Sequence, residues 1–349
     1  MVRNVLAVAL AISFGAAACK KEESKTSTAT GDKTAEKGGD TKAGGGTSGT
    51  TAASGDDLSL LPVDSELVMG LNFAQLQQSQ LWKQFVEPKM MSGDAVKKLA
   101  EFKDKCGFDP MSALKTVSVG LKGLDKKSPE GAFVIHGTEK DKVWSCLEQM
   151  KGEIEKDGST YTKDGDVALI KDKTGETVAL TYVNDTTALG IIGPNATKDG
   201  IKAAAAGTST LKSSPAFVDM FSKINSNDSL WILMNGNSKL FDKAAAMGVK
   251  PKAIYGSLNV TDGLTVDFRM RVEKPEDAQN FATMAQGQLK QAEKMFDKIA
   301  VTAEGNDVKF SVVLSNQKLQ ALVQQVGSMM SAFGGMGGGG GMGGPPGGP

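Results

Sequence analysis

Alternation of apolar and polar residues constrains the fold of this chain more than any other feature of its sequence. In the segment TVDFRMRV, Val266, Phe268, Met270 and Val272 alternate with polar residues. Successive side chains of a strand point to opposite faces, so the pattern predicts a strand with one buried and one solvated face. The segments TVSVGLK and VKFSVVL alternate in the same way. Such strands are typical of antiparallel sheets, because parallel strands are usually apolar on both faces.

Helical periodicity occurs between these strands. Pro275 begins a segment whose apolar residues recur every three or four positions, and a similar stripe runs from Leu319 to Met330. The combined patterns predict an α+β fold, in which a mainly antiparallel sheet carries helices packed on one face.

The order of predicted elements occurs twice along the chain. A strand, a helix, two strands, a second helix and a final strand region follow one another in residues 57–210, and a weaker copy of this order spans 211–331. We interpret the pattern as two repeated β-α-β-β-α-β-like halves packed into one body. Chance similarity between two α+β strings is the alternative, since the identity between the halves is weak.

Both ends of the chain differ in composition from this body. Residues 1–18 contain one arginine followed by a short apolar run, which is typical of an export signal and too short, at about 21 Å as a helix, to cross a bilayer. Residues 19–56 contain no aromatic residue and no aliphatic residue larger than alanine, and residues 332–349 are mostly glycine. These compositions predict a disordered linker and a disordered tail.

The junction between signal and linker contains a cysteine. Ala16, Ala17 and Ala18 precede Cys19, and this arrangement resembles the lipobox of bacterial lipoproteins, with Ala16 at the position that is usually leucine. The resemblance implies that Cys19 becomes the first mature residue, receives a diacylglyceryl group and an N-acyl chain, and anchors the protein to a membrane of the cell envelope, as an outer-membrane lipoprotein. Stable anchoring needs more than one acyl chain, which a triacylated cysteine provides. Ordinary cleavage that leaves Cys19 free is the alternative.

Two further cysteines lie in predicted helices. Cys106 continues the apolar face of Leu99 and Phe102, and Gly107 is placed to end that helix. Cys146 lies beside the apolar face of a second helix. Both thiols therefore point toward the core, and an exported protein meets an oxidising compartment, so we predict a Cys106–Cys146 disulfide. Two separately buried thiols are the alternative.

Two longer segments resemble a group of uncharacterised exported bacterial proteins. They are LLPVDSELVMGLNFAQLQQSQLW and CGFDPMSALKTVSVGL, which place a proline turn before a strand and a helix end before another strand. The resemblance spans the folded body and implies an exported α+β protein, but it assigns no chemistry.

The balance of charge argues against nucleic-acid binding. The 349 residues contain 40 Lys and Arg and 40 Asp and Glu, so no net field attracts a polyanion. We expect no nucleic-acid partner.

Motifs for catalysis or metal binding are weak. His136 is the only histidine, so neither a histidine triad with a serine elbow nor a histidine-rich metal site is indicated, and we expect a solvent-facing strand residue. Ser112 and Lys115 fit the S-x-x-K pattern of penicillin-binding proteins and 173–175 fits K-T-G, but the S-D-N element is absent. The acidic residues Asp164, Asp166 and Glu176 lack the spacing of a known calcium loop.

The sequence therefore predicts neither catalytic residues nor a cofactor or metal site. Our leading hypothesis is a membrane-anchored, non-catalytic binding or scaffolding module of the cell envelope that faces the periplasm or the cell surface. An envelope protein of unknown identity is its candidate partner. The solvated sheet face around Arg269 and Arg271 is the first candidate surface. An enzyme with an unrecognised site and a periplasmic carrier of an apolar ligand are the alternatives; the first requires a cleft with convergent titratable groups, and the second an apolar hollow.

Overall fold

The computed structural model describes residues 56–324, except 127, 157, 237, 239–240, 242–250, 291 and 323. The predicted signal peptide, Cys19, the linker up to residue 55 and the tail 332–349 lie outside the described residues.

Strands of the described residues form a single antiparallel sheet. Their bounds are β1 Leu67–Asn72, β2 Thr116–Lys122, β3 Glu130–His136, β4 Thr160–Asp164, β5 Val167–Lys171, β6 Thr177–Asn184, β7 Thr187–Ile192, β8 Leu230–Asn235, β9 Ala253–Asn259, β10 Leu264–Arg271, β11 Lys298–Glu304 and β12 Asp307–Leu314. The order across the sheet is β11-β12-β10-β9-β8-β1-β2-β3-β7-β6-β5-β4, and each neighbouring pair is antiparallel. The predicted α+β class with an antiparallel sheet is confirmed.

Helices connect the strands. Their bounds are α1 Phe73–Gln78, α2 Glu87–Met90, α3 Asp94–Cys106, α4 Pro110–Ala113, α5 Lys140–Lys156, α6 Lys198–Ala205, α7 Pro215–Ser222, α8 Pro275–Leu289 and α9 at residues 316–322. As predicted, α3 stops at Gly107, whose φ of +70° is the left-handed conformation that suits glycine after a helix, and Pro275 begins α8.

The repeated order of elements is visible in the sheet. Counting outward from the middle, β1-β2-β3-β7-β6 on one side corresponds to β8-β9-β10-β12-β11 on the other, and the hairpin β4–β5 extends the first half only. The two halves meet where β1 pairs antiparallel with β8, so their strands share one continuous sheet.

The longest helices pack on one face of the sheet, as predicted. On this face, which we call the helix face, α3 and α5 cover β4–β6, and α8 covers β11 and β12. The short helices α6 and α7 pack on the opposite face, with Ile201, Phe217 and Met220 against Val134, Leu189, Trp231 and Leu233.

This second layer changes the surroundings of β2. The alternation predicts a solvated side for β2, but Thr116, Ser118 and Gly120 on that side are buried as well. The reason is that the N-terminal segment 57–65, with Leu58 and Leu61, crosses the second face of the sheet and covers them.

Candidate functional site

The predicted disulfide is present between α3 and α5. Cys106 and Cys146 are bonded, with their Cα atoms 4.5 Å apart, and both are buried. The Met150 sulfur lies 3.8 Å from the Cys106 sulfur and 3.7 Å from that of Cys146, so the bridge is packed inside the core beneath the two helices. The disulfide links α3 to α5, and because it is buried we do not regard it as a reactive site.

His136 is not the solvent-facing residue that the sequence predicts. Its Nε2 lies 2.8 Å from Asp57 Oδ1, and its Nδ1 lies 3.1 Å from the Thr187 hydroxyl. Asp57 is 3 % exposed at its side chain and also accepts a hydrogen bond of 2.6 Å from the Ser118 hydroxyl. The correction follows from the N-terminal segment, which brings Asp57 over the end of β3.

The tautomer of neutral His136 is set by this geometry. A carboxylate only accepts hydrogen bonds, so Nε2 carries the hydrogen and Nδ1 accepts from Thr187. An aspartate, an imidazole and a hydroxyl in this order resemble a general-base relay. Thr187 is, however, only 6 % exposed, so a substrate has little access to its hydroxyl. We interpret the cluster as the attachment that holds the N-terminal 3₁₀ turn Asp57–Ser59 against β2 and β3.

Sequence reasoning missed Asp57, Ser118 and Thr187. The separation of 61 residues between Ser118 and Asp57 leaves no local pattern that pairs them. The sequence of β2 did contain one clue, because Thr116 and Ser118 alternate with valines and their hydroxyls can take part in a polar cluster.

Arg269 and Arg271 do not form an open basic surface. Arg271 donates to both carboxylate oxygens of Asp307, at 2.8 and 3.1 Å, and also pairs with Asp219 at 2.9 Å. Arg269 pairs with Glu304 at 2.5 Å, and its side chain is only 12 % exposed. The prediction of a solvated charged face is therefore wrong at these two residues, because ion pairs to β11, β12 and α7 cover them.

The side chains of the remaining candidate motifs do not come together as a site, and they make hydrogen bonds or ion pairs with other residues. Ser112 donates to the Asp109 carbonyl, and Lys115 Nζ donates to the carbonyl rather than the hydroxyl of Ser112. Asp164 pairs with Lys198, Asp166 with Lys140, and Glu176 accepts from Ser128. Within the described ranges, no group of three or more His, Cys, Asp or Glu side chains is placed to hold a metal ion.

A groove lies between the N-terminal segment and α6. Its volume is about 610 Å³, within the range of small-molecule sites. Leu60 and Pro62 form one wall, Gly200 and Ala204 of α6 the other, and Ile191 lines it from β7.

Backbone hydrogen bonds fix the first wall of the groove. Val63 donates to the Ser209 carbonyl at 3.2 Å, and Leu211 donates to the Leu61 carbonyl at 3.0 Å. The segment is therefore held at both ends of this contact, and the groove is pre-formed.

Charged side chains at the groove are paired. Asp64 lies 2.7 Å from Lys122, and Glu130 lies 2.9 Å from Lys126. The groove thus combines apolar residues with paired charges and with the polar residues Asn195, Thr197, Thr208, Ser209 and Thr210, which suits a small ligand with both apolar and polar groups.

Comparisons with known proteins assign no family to the chain. No protein-family model and no curated protein matches the chain. The chain is similar to a solved structure titled "Structure of crystal form III of TP0453", with a TM-score of 0.49 and 10 % identity, over 78 % of this chain and 99 % of that one. A likeness at this level bears on neither activity nor partners.

Among the residues that the structure describes, no helix is both long and apolar enough to cross a membrane.

Proposed function

We propose that the protein is a lipid-anchored, non-catalytic binding module of the cell envelope, and that the groove beside α6 holds its ligand. The observation that supports this most is the state of the charged side chains at the groove. Asp64, Lys122 and Glu130 line it, and each is in an ion pair. General acid–base catalysis needs a titratable group free to exchange a proton with a bound substrate, whereas a binding site needs shape and an apolar lining.

The position of the groove fits a tethered module. The segment that carries Leu60 and Pro62 directly follows the predicted linker, so the tether joins the body beside the groove. A flexible linker of 37 residues, 20–56, has a root-mean-square span of roughly 33 Å. A ligand in the groove would therefore lie, on average, a few nanometres from the membrane that anchors Cys19.

Site-specific photocrosslinking in intact cells tests this proposal. The crosslinking amino acid p-benzoylphenylalanine would replace Ala204, which lines the groove, or Ala206, an exposed residue just after α6 that serves as the matched control. We expect a discrete ligand adduct on irradiation at position 204 and none at 206. Equal labelling at both positions, or none at 204, would contradict a ligand site in the groove.

A further inference from the structure

The two edges of the sheet differ in how their backbone groups are covered. One edge strand is β11, and the other is β4, at the end of the hairpin that extends the first half only. At the β11 edge, the Val301 carbonyl accepts a hydrogen bond of 2.7 Å from the Gln286 side chain of α8. Within the described residues, no group outside β5 hydrogen-bonds to the backbone of β4. The β4 edge is therefore the less protected of the two.

The turn between β4 and β5 decides which backbone groups of β4 point outward. Asp164 pairs with Val167 across a two-residue turn, so these two residues exchange backbone hydrogen bonds. Bonded and non-bonded residues alternate along an antiparallel strand, so the N–H and C=O groups of Tyr161 and Lys163 point away from β5. Two donors and two acceptors thus lie along the β4 edge.

These backbone groups match those of a second copy of the chain. When two β4 strands run antiparallel with Thr162 opposite its own counterpart, Tyr161 of each copy lies opposite Lys163 of the other. Each outward N–H then meets an outward C=O, and a two-fold axis passes through the Thr162 pair. A shift of two residues toward the turn would set Lys163 against its own counterpart, and like charges directly opposite each other destabilise a sheet.

The side chains on the helix face of β4 are complementary in the same register. The Tyr161 hydroxyl donates to Glu148 of α5 at 3.0 Å, so Lys163 of the second copy faces a hydroxyl and a carboxylate. Lys163 is exposed, and it forms no ion pair with any residue that the structure describes. Its ammonium lies 5.2 Å from the centre of the Trp144 ring on α5, so in the single chain it is drawn over its own helix and leaves the strand edge clear.

The side chains on the opposite face of β4 also suit a two-fold pair. Thr160, Thr162 and Asp164 are all exposed there. In the register described, Thr162 meets its own counterpart, and the Thr160 hydroxyl lies opposite an Asp164 carboxylate that accepts hydrogen bonds. Threonine pairs and hydroxyl contacts across neighbouring strands are favourable in antiparallel sheets.

We propose that two copies of this protein pair antiparallel through β4 and extend their sheets into one across a two-fold axis. A second copy is the partner because β4 complements itself in backbone groups, in charge and in hydroxyl groups at a single register. A strand of five residues is a small interface, so the dimer should be in reversible equilibrium with the monomer. No residue of β4 lines the groove, so this inference goes beyond the proposed function and either can fail without the other.

Cysteine crosslinking tests the register. In the proposed dimer the two Thr162 Cα atoms are about 4.5 Å apart, which is within the range of a disulfide. The full mature chain with Cys19→Ser and Thr162→Cys would be oxidised with copper phenanthroline in air and run on a non-reducing gel. Thr302→Cys, at an exposed threonine of the edge strand β11, is the matched control. We expect a crosslinked dimer for Thr162→Cys alone. Equal crosslinking of both variants, or none at 162, would overturn the proposal.

Proline substitution tests the backbone pairing. Lys163→Pro removes an outward N–H group without breaking a bond to β5, and we expect at least a ten-fold weaker dimer in analytical ultracentrifugation of the mature Cys19→Ser chain. Ala303→Pro removes the corresponding outward N–H group of β11 and should leave the dimer unchanged. Thermal unfolding checks that each variant is folded, and if Lys163→Pro does not fold, the crosslinking at position 162 decides the question. A folded Lys163→Pro chain that dimerises like the parent would refute pairing through β4.

Other occupants of the β4 edge give different results. A parent chain that stays monomeric over the whole concentration series would leave the edge to a different protein, and the proposal would be wrong. Amide hydrogen exchange of the dilute monomer tests for coverage by the chain itself. Rapid exchange at Tyr161 and Lys163 that slows as the dimer forms would support the proposal. Slow exchange already in the monomer would mean that the chain's own residues 20–55 or 325–349 cover the edge, which would again contradict a pairing of two copies.

Discussion

Tyr255 donates a hydrogen bond of 2.6 Å to Asp307, linking the middle of β9 to the first residue of β12. Arg271 donates to both groups, to the Tyr255 hydroxyl at 2.9 Å and to Asp307. Burial alone would raise the pKa of Asp307, but hydrogen bonds from Arg271 and Tyr255 outweigh it and lower the pKa below its ordinary value of 3.8. Burial and the neighbouring carboxylate raise the pKa of Tyr255. The charged form of Asp307 therefore stabilises the folded sheet.

Asp307→Asn should lower the free energy of unfolding by about 3 kcal/mol at pH 7, because it leaves Arg271 without its buried partner. Since the pKa of Asp307 is lowered by folding, this contribution is complete above about pH 5 and is lost as the pH falls through the folded-state pKa. Urea unfolding of parent and variant at pH 7 and at several values below pH 4 measures the difference, which should shrink with acidification.

The matched control for this prediction is Asp267→Asn. Asp267 pairs with Lys309 at 3.0 Å in the same sheet but is 40 % exposed, so its loss should cost less than about 1 kcal/mol. A loss for Asp307→Asn no greater than for Asp267→Asn would show that the Tyr255–Asp307–Arg271 network contributes little to stability.

Asp57→Ala should destabilise the protein by about 2 kcal/mol, because the buried Ser118 hydroxyl and the His136 ring lose their acceptor. Its exposed neighbour Asp56, which lies 3.9 Å from Lys212, is the matched control, and Asp56→Ala should leave the unfolding midpoint unchanged. Thermal unfolding followed by circular dichroism makes the comparison. Equal midpoints for the two variants would argue against the attachment of the N-terminal turn through Asp57.

Gly70→Ala should cost about 2–3 kcal/mol, because a Cβ atom at this position of β1 would lie 2.2 Å from the ring of Trp231 on β8. The two residues are directly opposite each other where the halves of the sheet meet. In a Trp231→Leu background the same substitution should cost less, and a double-mutant cycle by urea unfolding measures this coupling.

Gly152→Ala is the control for the glycine substitution. Gly152 lies within α5, and a Cβ there meets nothing within 4 Å, so alanine should stabilise the helix by roughly 0.5–1 kcal/mol. If Gly70→Ala proved equally harmless, the close packing of Trp231 on β1 would be refuted.

The sequence predicted local structure better than long-range contacts. Alternation identified β2, β10 and β12, and helical spacing placed Cys106 and Cys146 toward the core, because strand and helix geometry depend on residues a few positions apart. The groove and the environment of His136 depend on the N-terminal segment, whose partners are far along the chain. The periodicity of a short stretch of sequence contains no information about such long-range contacts.

The two faces of the sheet show the same limit. Alternation correctly separated Phe268 from Arg269, but it could not show which face the rest of the chain covers. Arg269 is shielded by an ion pair from β11, while Phe268 on the other face is only half-buried. Burial is decided by what packs on a strand, and that information lies outside the strand.

Loss of the Cys106–Cys146 disulfide should lower stability by about 4 kcal/mol, since the bond closes a loop with a sequence separation of 40 residues. The double variant Cys106→Ala with Cys146→Ala removes the bond without leaving an unpaired thiol. Urea unfolding gives the change in free energy, and non-reducing peptide mapping of the parent chain tests the bond itself. Recovery of both thiols in free form from the parent chain would contradict the bond.

Cys19→Ser should release the mature protein from the membrane fraction, because the predicted acyl chains can no longer be attached. Fractionation of cells followed by immunoblotting measures the release, and Lys20→Ser, one residue away, should remain with the membrane. Mass analysis of the parent protein should show an acylated amino terminus at Cys19. A serine variant that stays fully membrane-bound at high salt would refute the lipid anchor, while the groove would still be open to its own test.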